Sequence, residues 1–167
     1  VIDGESKKNI SFGIIRMANI DPCVKLSNFL LECDLPDDYQ IFIMCYHSRQ
    51  ILFLRHLQEE YLDRVMKRKD ENPMHVDIKD DILRKHIDNS SGKNIIFILV
   101  ATPVEEVGRD HDFDWAIVEP SSFRSVVQLA GRIRRHRIAK NDYKLKNIAV
   151  MQYNINAVKG KNIAYTK

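Results

Sequence analysis

Apolar residues follow two registers along this chain. Short, nearly continuous runs at 40–46 (QIFIMCY) and 94–101 (NIIFILVA) alternate with longer stretches in which apolar positions recur every three or four residues. Continuous runs predict strands buried on both faces, and the wider spacing predicts amphipathic helices. The pattern gives a strand over 11–19, then a helix to about Cys33 with Asp21 as its N-cap and Pro22 in its first turn. Leu35-Pro36-Asp37-Asp38 breaks that helix, and 40–46 follows as a central buried strand. A long helix is predicted over 50–69, with Ile51, Leu54, Leu57, Tyr61, Leu62 and Val65 on one side. A loop over 67–73 and a shorter helix over 77–87 come next, the helix stopped by Asn89-Ser90-Ser91-Gly92. After the strand at 94–101 lie a polar loop over 102–114 and a strand over 115–119. A helix opened by Pro120-Ser121-Ser122 carries Phe123, Val126, Val127, Leu129, Ala130 and Ile133, and a last strand covers 147–152. No element is predicted after Asn154. Strands alternating with helices predict an α/β fold: a mostly parallel central sheet with helices on both faces.

The 167 residues suit one domain with a sizeable core. Apolar residues make up 44% and charged residues 29%, an ordinary balance for a globular chain. The net charge of +3 says little, but Arg124, Arg132, Arg134, Arg135, Arg137 and Lys140 crowd one segment. Cys23, Cys33 and Cys45 are odd in number and lack metal-ligand spacing. They read as reduced thiols of a reducing compartment, neither a disulfide framework nor a zinc knuckle. The apolar runs are too short to cross a bilayer, and neither a signal peptide nor an internal repeat is visible, so no membrane partner is expected. The chain reads as a piece of a larger polypeptide, with a domain over 1–154 and the start of a linker or following region over 155–167.

In open α/β sheets ligands gather outside the carboxyl ends of the strands, where three polar clusters are predicted to lie. The most specific is Gln128-Leu129-Ala130-Gly131-Arg132-Ile133-Arg134-Arg135, a Q-x-x-G-R-x-x-R pattern. If the helix continues, Gln128, Arg132 and Arg135 project on one side, and Gly131 leaves room for a close approach. Phosphoryl transfer needs positive charge around the moving oxygens, and an arginine supplied from outside the phosphate cradle accelerates it by roughly 10³- to 10⁵-fold. The competing reading is a basic, solvated helix end. The second cluster is T-x-V-x-E-x-G-x-D: Thr102 suits a nucleic-acid phosphate, Asp110 a ribose hydroxyl, and Gly108 the turn between them. Tyr46-His47-Ser48-Arg49 opens a helix after a strand. Backbone N–H groups and Arg49 suit a phosphate there, and Ser48 equally reads as a helix cap. His111, Asp112 and Asp114 imitate a metal-nuclease ligand set but read better as a polar turn, so no metal site is assigned. Neither G-x-x-x-x-G-K-[ST] nor D-E-x-[HD] occurs, so a triphosphate cradle and magnesium ligands must come from another domain.

Together these residues resemble motifs V and VI of superfamily 2 helicases. The stretch at 100–137, with 12–20 (FGIIRMANI) and 46–49 (YHSR), resembles the CRISPR-associated helicase–nuclease of type I interference, subtype I-F. The resemblance implies a second RecA-like motor domain of P-loop type, preceded in its polypeptide by a nuclease domain and a first RecA-like domain. It implies ATP as the nucleotide, with magnesium held by the first motor domain and neither bound by this chain alone. It implies 3′-to-5′ movement on single-stranded DNA, recruitment by a crRNA-guided surveillance complex, a phage anti-CRISPR inhibitor as a candidate partner, and the bacterial cytoplasm. By position, Arg132 and Arg135 would be arginine fingers, Gln128 would meet the ATP phosphates, and Asp110 the ribose or the cleft closure. Thr102 would touch the DNA backbone, as would His47, Ser48 and Arg49. Arg134 and Pro103 depart from many relatives, which carry Gly and Gln there. The alternatives are another superfamily 2 DNA or RNA translocase, and a non-catalytic RecA-like module that binds nucleic acid or protein.

Overall fold

The computed structural model describes residues 2–66, 78, 80–106, 110–135, 146–161 and 165. In chain order the elements are β1 (Asn9–Arg16), α1 (Ile20–Glu32), β2 (Tyr39–Tyr46), α2 (Leu52–Met66), α3 (Asp81–Asn89) and β3 (Asn94–Ala101). After a 3₁₀ turn at Pro103–Glu106 come β4 (Trp115–Val118), α4 (Phe123–Ala130), β5 (Ile148–Val150) and α5 (Ile155–Val158). The five strands form one sheet in the order β2-β3-β1-β4-β5, and every pairing is parallel. All five carboxyl ends therefore lie along one rim.

Period-two alternation sends each strand's side chains to two cores. Ile10, Phe12 and Ile14 of β1 and Ile95 and Leu99 of β3 pack with Leu62 and Met66 of α2, Leu83 and Ile87 of α3, and Leu129 of α4. Phe97 stacks between Phe12 and Phe42, with ring centroids 5.1 and 5.2 Å apart. On the opposite face Ile15, Ile98 and Val100 meet Cys23, Leu26 and Leu30 of α1. Each fully buried aliphatic or aromatic side chain contributes about 1.5–3 kcal/mol. Helices thus cover both faces, as predicted.

On the α1 face, Trp115 of β4 lies over Gly13 of β1. A Cβ at Gly13 would fall 2.0 Å from the indole Cζ2, and the indole N–H donates to Ser11 Oγ at 2.7 Å. Glycine is therefore required for the ring to lie flat on the sheet. Ahead of β1, Asp3 is held by the two-pronged guanidinium of Arg84 at 3.0 and 2.9 Å, which ties the first residues to α3. The hydrogen bonds from Arg84 hold the Asp3 carboxyl well below the usual carboxylate range.

Several predicted elements shift. β3 has its predicted bounds, but β2 is an edge strand, not a central one, and most of its residues are half-buried. Apolarity reports burial of faces and says nothing of lateral neighbours. α1 begins at Ile20 with Asn19 as N-cap, so Asp21 is its first-turn acid rather than its cap. α2 starts only at Leu52 and buries Leu62 and Met66, while Ile51, Leu54 and Leu57 stay exposed. α3 starts at Asp81, capped by the carboxylate of Asp80. A short helix, α5, follows Asn154, whose side chain accepts from Ala157 N at 2.8 Å and caps it.

Candidate functional site

The rim carries a cleft of about 520 Å³, built from the ends of β1, β2 and β3 and from α5. Its walls include Asn19, Asp21, Ser48, Arg49, Thr102, Pro103, Asn156, Lys159 and Lys161. Three sequence-predicted residues, Ser48, Arg49 and Thr102, are thus brought to one place from two strand ends. The loop after β2 is locked from within. Gln50 accepts from His47 N at 3.0 Å and donates to Cys45 O at 2.8 Å. The hydroxyl of fully buried Tyr46 donates to Glu59. These bonds hold 47–50 out of the helix, so Ser48 does not cap α2, which starts four residues later. His47 is not on the cleft wall, and its buried Nδ1 has no hydrogen-bond partner among the described residues. The 13-residue α1 points its N-terminus at the cleft, and Asn19 makes no side-chain cap there. Backbone N–H groups at such an end favour an anion.

The second region is the turn after α4, which lies beside the segment entering β4, at the amino ends of the strands and not at the carboxyl rim where the cluster was expected, because α4 runs back along the sheet. The predicted helical projection of Gln128, Arg132 and Arg135 does not hold, because α4 ends at Ala130 with Gly131 as C-cap. The chain then turns extended against the segment before β4. Phe113 N donates to Arg132 O, Arg134 N donates to Phe113 O, and Phe113 bridges Ile133. Arg134 takes φ 53°, in the left-handed region that ends a helix. An arginine here adopts a conformation that favours glycine. The arginines consequently separate: Arg132 is 8% exposed, whereas the Arg135 side chain is 50% exposed. Arg135 Nη1 donates to Asp110 Oδ1 at 3.0 Å, and Asp110 is itself 40% exposed. Two clusters 25 residues apart in sequence therefore meet at one exposed ion pair. Gln128 is exposed on α4, and Gly108 lies outside the described residues.

The metal imitation resolves into scaffolding. Asp114 Oδ2 accepts from Phe12 N at 2.7 Å, Asp112 Oδ1 accepts from Arg135 N at 3.1 Å, and buried His111 pairs with Asp63 at 2.9 Å. Among the described residues no group of three or more His, Cys, Asp or Glu side chains could hold a metal ion.

Four participants carry no motif in the sequence. Lys159, Lys161 and Asn156 line the cleft from a segment with no predicted element. Glu119, 1% exposed, lies beneath it. Asn154 as a helix cap, followed by lysines at 159 and 161, was the available signal for α5. Nothing local marks Glu119, whose partners stand over 30 and 100 residues away.

The all-parallel sheet with helices on both faces and a polar cleft at its carboxyl rim is a RecA-like fold. A crystal structure of T. fusca Cas3-ADP superposes with a TM-score of 0.56 at 17% identity, covering 84% of this chain and 14% of that one. A CRISPR RNA-guided surveillance complex, pre-nicking, gives 0.54 at 18% identity over 86% of this chain and 15% of that one. At such identities the likeness shows the fold alone. The family relationship rests on sequence: the family described as CRISPR-associated nuclease/helicase Cas3, C-terminal, matches residues 9–138, and the chain belongs to it. The chain is 45% identical over 164 residues to the CRISPR-associated nuclease/helicase Cas3 subtype I-F/YPEST of Pectobacterium atrosepticum. It is 41% identical over 160 residues to the same protein of Pseudomonas aeruginosa. These alignments cover 98% and 96% of this chain but 15% of each relative.

Proposed function

We propose that this chain is the second motor lobe of a longer nuclease–helicase of CRISPR interference, which moves 3′ to 5′ on single-stranded DNA at the expense of ATP. The observation that carries the reading is the exposed Asp110–Arg135 pair. It sets a guanidinium at the surface of the lobe, where a facing lobe can present a nucleotide. Arg135 has five N–H donors, and its side chain spends one on Asp110 among the described residues, so it retains capacity for a phosphate. In this reading Arg135 acts as the finger and Gln128 on α4 approaches the phosphates. Asp110 orients the arginine until the ribose or the facing lobe takes its place. Arg132, being buried, holds the turn from below and adds positive potential there. ATP supplies the phosphoryl transfer, and magnesium and the phosphate cradle belong to the first lobe. Ser48, Arg49 and Thr102 hold the DNA backbone in the cleft, with His47 behind them. The crRNA-guided surveillance complex delivers the strand in the bacterial cytoplasm, and an anti-CRISPR inhibitor has this same rim to block.

The test is DNA-stimulated ATP hydrolysis by the complete enzyme. Arg135→Ala is expected to lower kcat by about 10³-fold or more while single-stranded DNA still binds. Turnover within twofold of wild type would refute the finger role. A turnover that responds to RNA and not to DNA would favour a different superfamily 2 translocase. No response to ATP in any assembly would favour a non-catalytic binding module.

A further inference from the structure

We propose that Lys159 and Lys161 form a second cationic wall of the cleft and grip the sugar–phosphate backbone of single-stranded DNA together with Arg49. Buried Glu119 is the clasp that positions that wall. This rests on reading the cleft as the DNA interface and adds residues to which no motif points.

Strand order supplies the geometry. The loop after β2, with Ser48 and Arg49, lies at one edge of the sheet, and Thr102 after β3 and Asn19 after β1 follow inward. α5, which comes after β5, closes the cleft from the other direction. Among the described residues, the charged lining side chains are Arg49, Lys159 and Lys161 against the carboxylate of Asp21. Both lysines are exposed, and no ion pair among the described residues engages either one or Arg49. A polar cleft with cations on two walls and a helix N-terminus at its floor suits a polyanion better than a single phosphate.

α5 has four residues and cannot hold its place unaided. Glu119 directly follows β4 and spends both carboxylate oxygens on backbone donors of the cleft. Oε2 accepts from Ala18 N at 2.6 Å, just ahead of α1, and Oε1 accepts from Ile155 N at 2.7 Å, the first residue of α5. Its own backbone is fixed to β1, since Glu119 N donates to Arg16 O at 2.8 Å and Arg16 Nη1 donates to Glu119 O at 2.7 Å. One buried side chain thus links the α1 wall to the lysine wall. A glutamine in its place has one acceptor oxygen and turns an NH₂ toward a backbone N–H, so one of the two links must open. Glu119 does not touch the DNA and is a positioning residue.

The experiment measures binding of a fluorescent mixed-sequence single-stranded oligonucleotide to the complete enzyme across a salt series. Lys159→Ala/Lys161→Ala is expected to raise Kd about tenfold at moderate salt and to flatten the log–log salt slope by up to about 1.4, roughly 0.7 for each DNA phosphate that is no longer neutralised. Glu119→Gln is expected to weaken binding and flatten the slope in the parent enzyme. In the lysine-free background it should add nothing, because it acts through the lysines. Lysine-free enzyme with parental Kd and slope would overturn the proposal. If Arg49→Ala still weakened binding, the cleft would remain the DNA site. If Arg49→Ala also had no effect, the cleft reading itself would fail. Equal weakening by Glu119→Gln in both backgrounds would assign it a general scaffolding role and overturn the clasp. Lys159→Glu/Lys161→Glu, at exposed positions where folding is not at stake, should weaken binding further still, and parental affinity there would overturn the cationic wall.

Discussion

Gly13→Ala should be among the most damaging single-methyl additions in this lobe. The added Cβ would lie 2.0, 2.2 and 2.3 Å from Cζ2, Cε2 and Cη2 of Trp115. Carbon atoms rest about 3.5–4.0 Å apart, so the indole must retreat by roughly 1.5 Å. Overpacking of this kind costs about 1–3 kcal/mol. The retreat also breaks the 2.7 Å bond from the indole N–H to Ser11, worth about 1 kcal/mol more. A total of about 2–4 kcal/mol corresponds to a fall in Tm of roughly 5–15 °C for a domain of this size. The assay is direct, because Trp115 is the single tryptophan of the chain and its fluorescence reports on the displaced ring. The melt should move down, and the emission should shift red as the ring gains water. The functional consequence follows through β4, which pairs with β1 and leads into Glu119 and α4. A variant that melts within about 1 °C of wild type with unchanged emission would refute the close-approach argument.

The two arginines should separate by stability. Arg132→Ala, at a buried position, should cost about 1 kcal/mol or more, whereas Arg135→Ala, half exposed, should stay within about 0.5 kcal/mol, as read from denaturant midpoints. The depressed carboxyl of Asp3 gives stability that is present above the ordinary Asp pKa of about 3.9 and is lost as pH falls from there toward the folded value. Asp3→Asn should therefore flatten the acid limb of a stability–pH curve while lowering stability at neutral pH, and an unchanged limb would contradict the Arg84 clamp. Asp114→Ala strands the buried N–H of Phe12 and should destabilise by about 1–3 kcal/mol. A chelator should leave the wild-type melt of the same chain in place, because Asp112 and Asp114 serve backbone donors.

The sheet was legible wherever its strands declare themselves locally. The run NIIFILVA is apolar at both parities and became β3 at its predicted bounds, since a parallel strand between two helix layers demands that composition. The equally apolar QIFIMCY became an edge, because lateral order depends on crossovers that no local pattern encodes. The pattern of the arginine cluster suggested a helical geometry that the fold does not keep. It extends the helix through Gly131, where backbone pairing with the segment at 113 takes over and Arg134 adopts a conformation that a non-glycine residue rarely announces. Ser48, Arg49 and Thr102 share one cleft because they follow strands, and that much was legible from their place after apolar runs. The placement of Lys159, Lys161 and Glu119 at the cleft left no signal, because it comes from long-range bonds, from Glu119 to the backbones of residues 18 and 155, that leave no periodic trace.

The most direct measurement takes two preparations of the complete enzyme, wild type and Arg135→Ala, and records single-stranded DNA affinity and ATP turnover at saturating DNA on each. Arg135→Ala is expected to keep its DNA affinity within about twofold and to lose turnover by three orders of magnitude or more, because the arginine sits beside the segment that enters β4, at the amino ends of the strands, away from the cleft at their carboxyl ends. Turnover that survives the substitution, or that falls only in proportion to weakened DNA binding, would contradict this expectation.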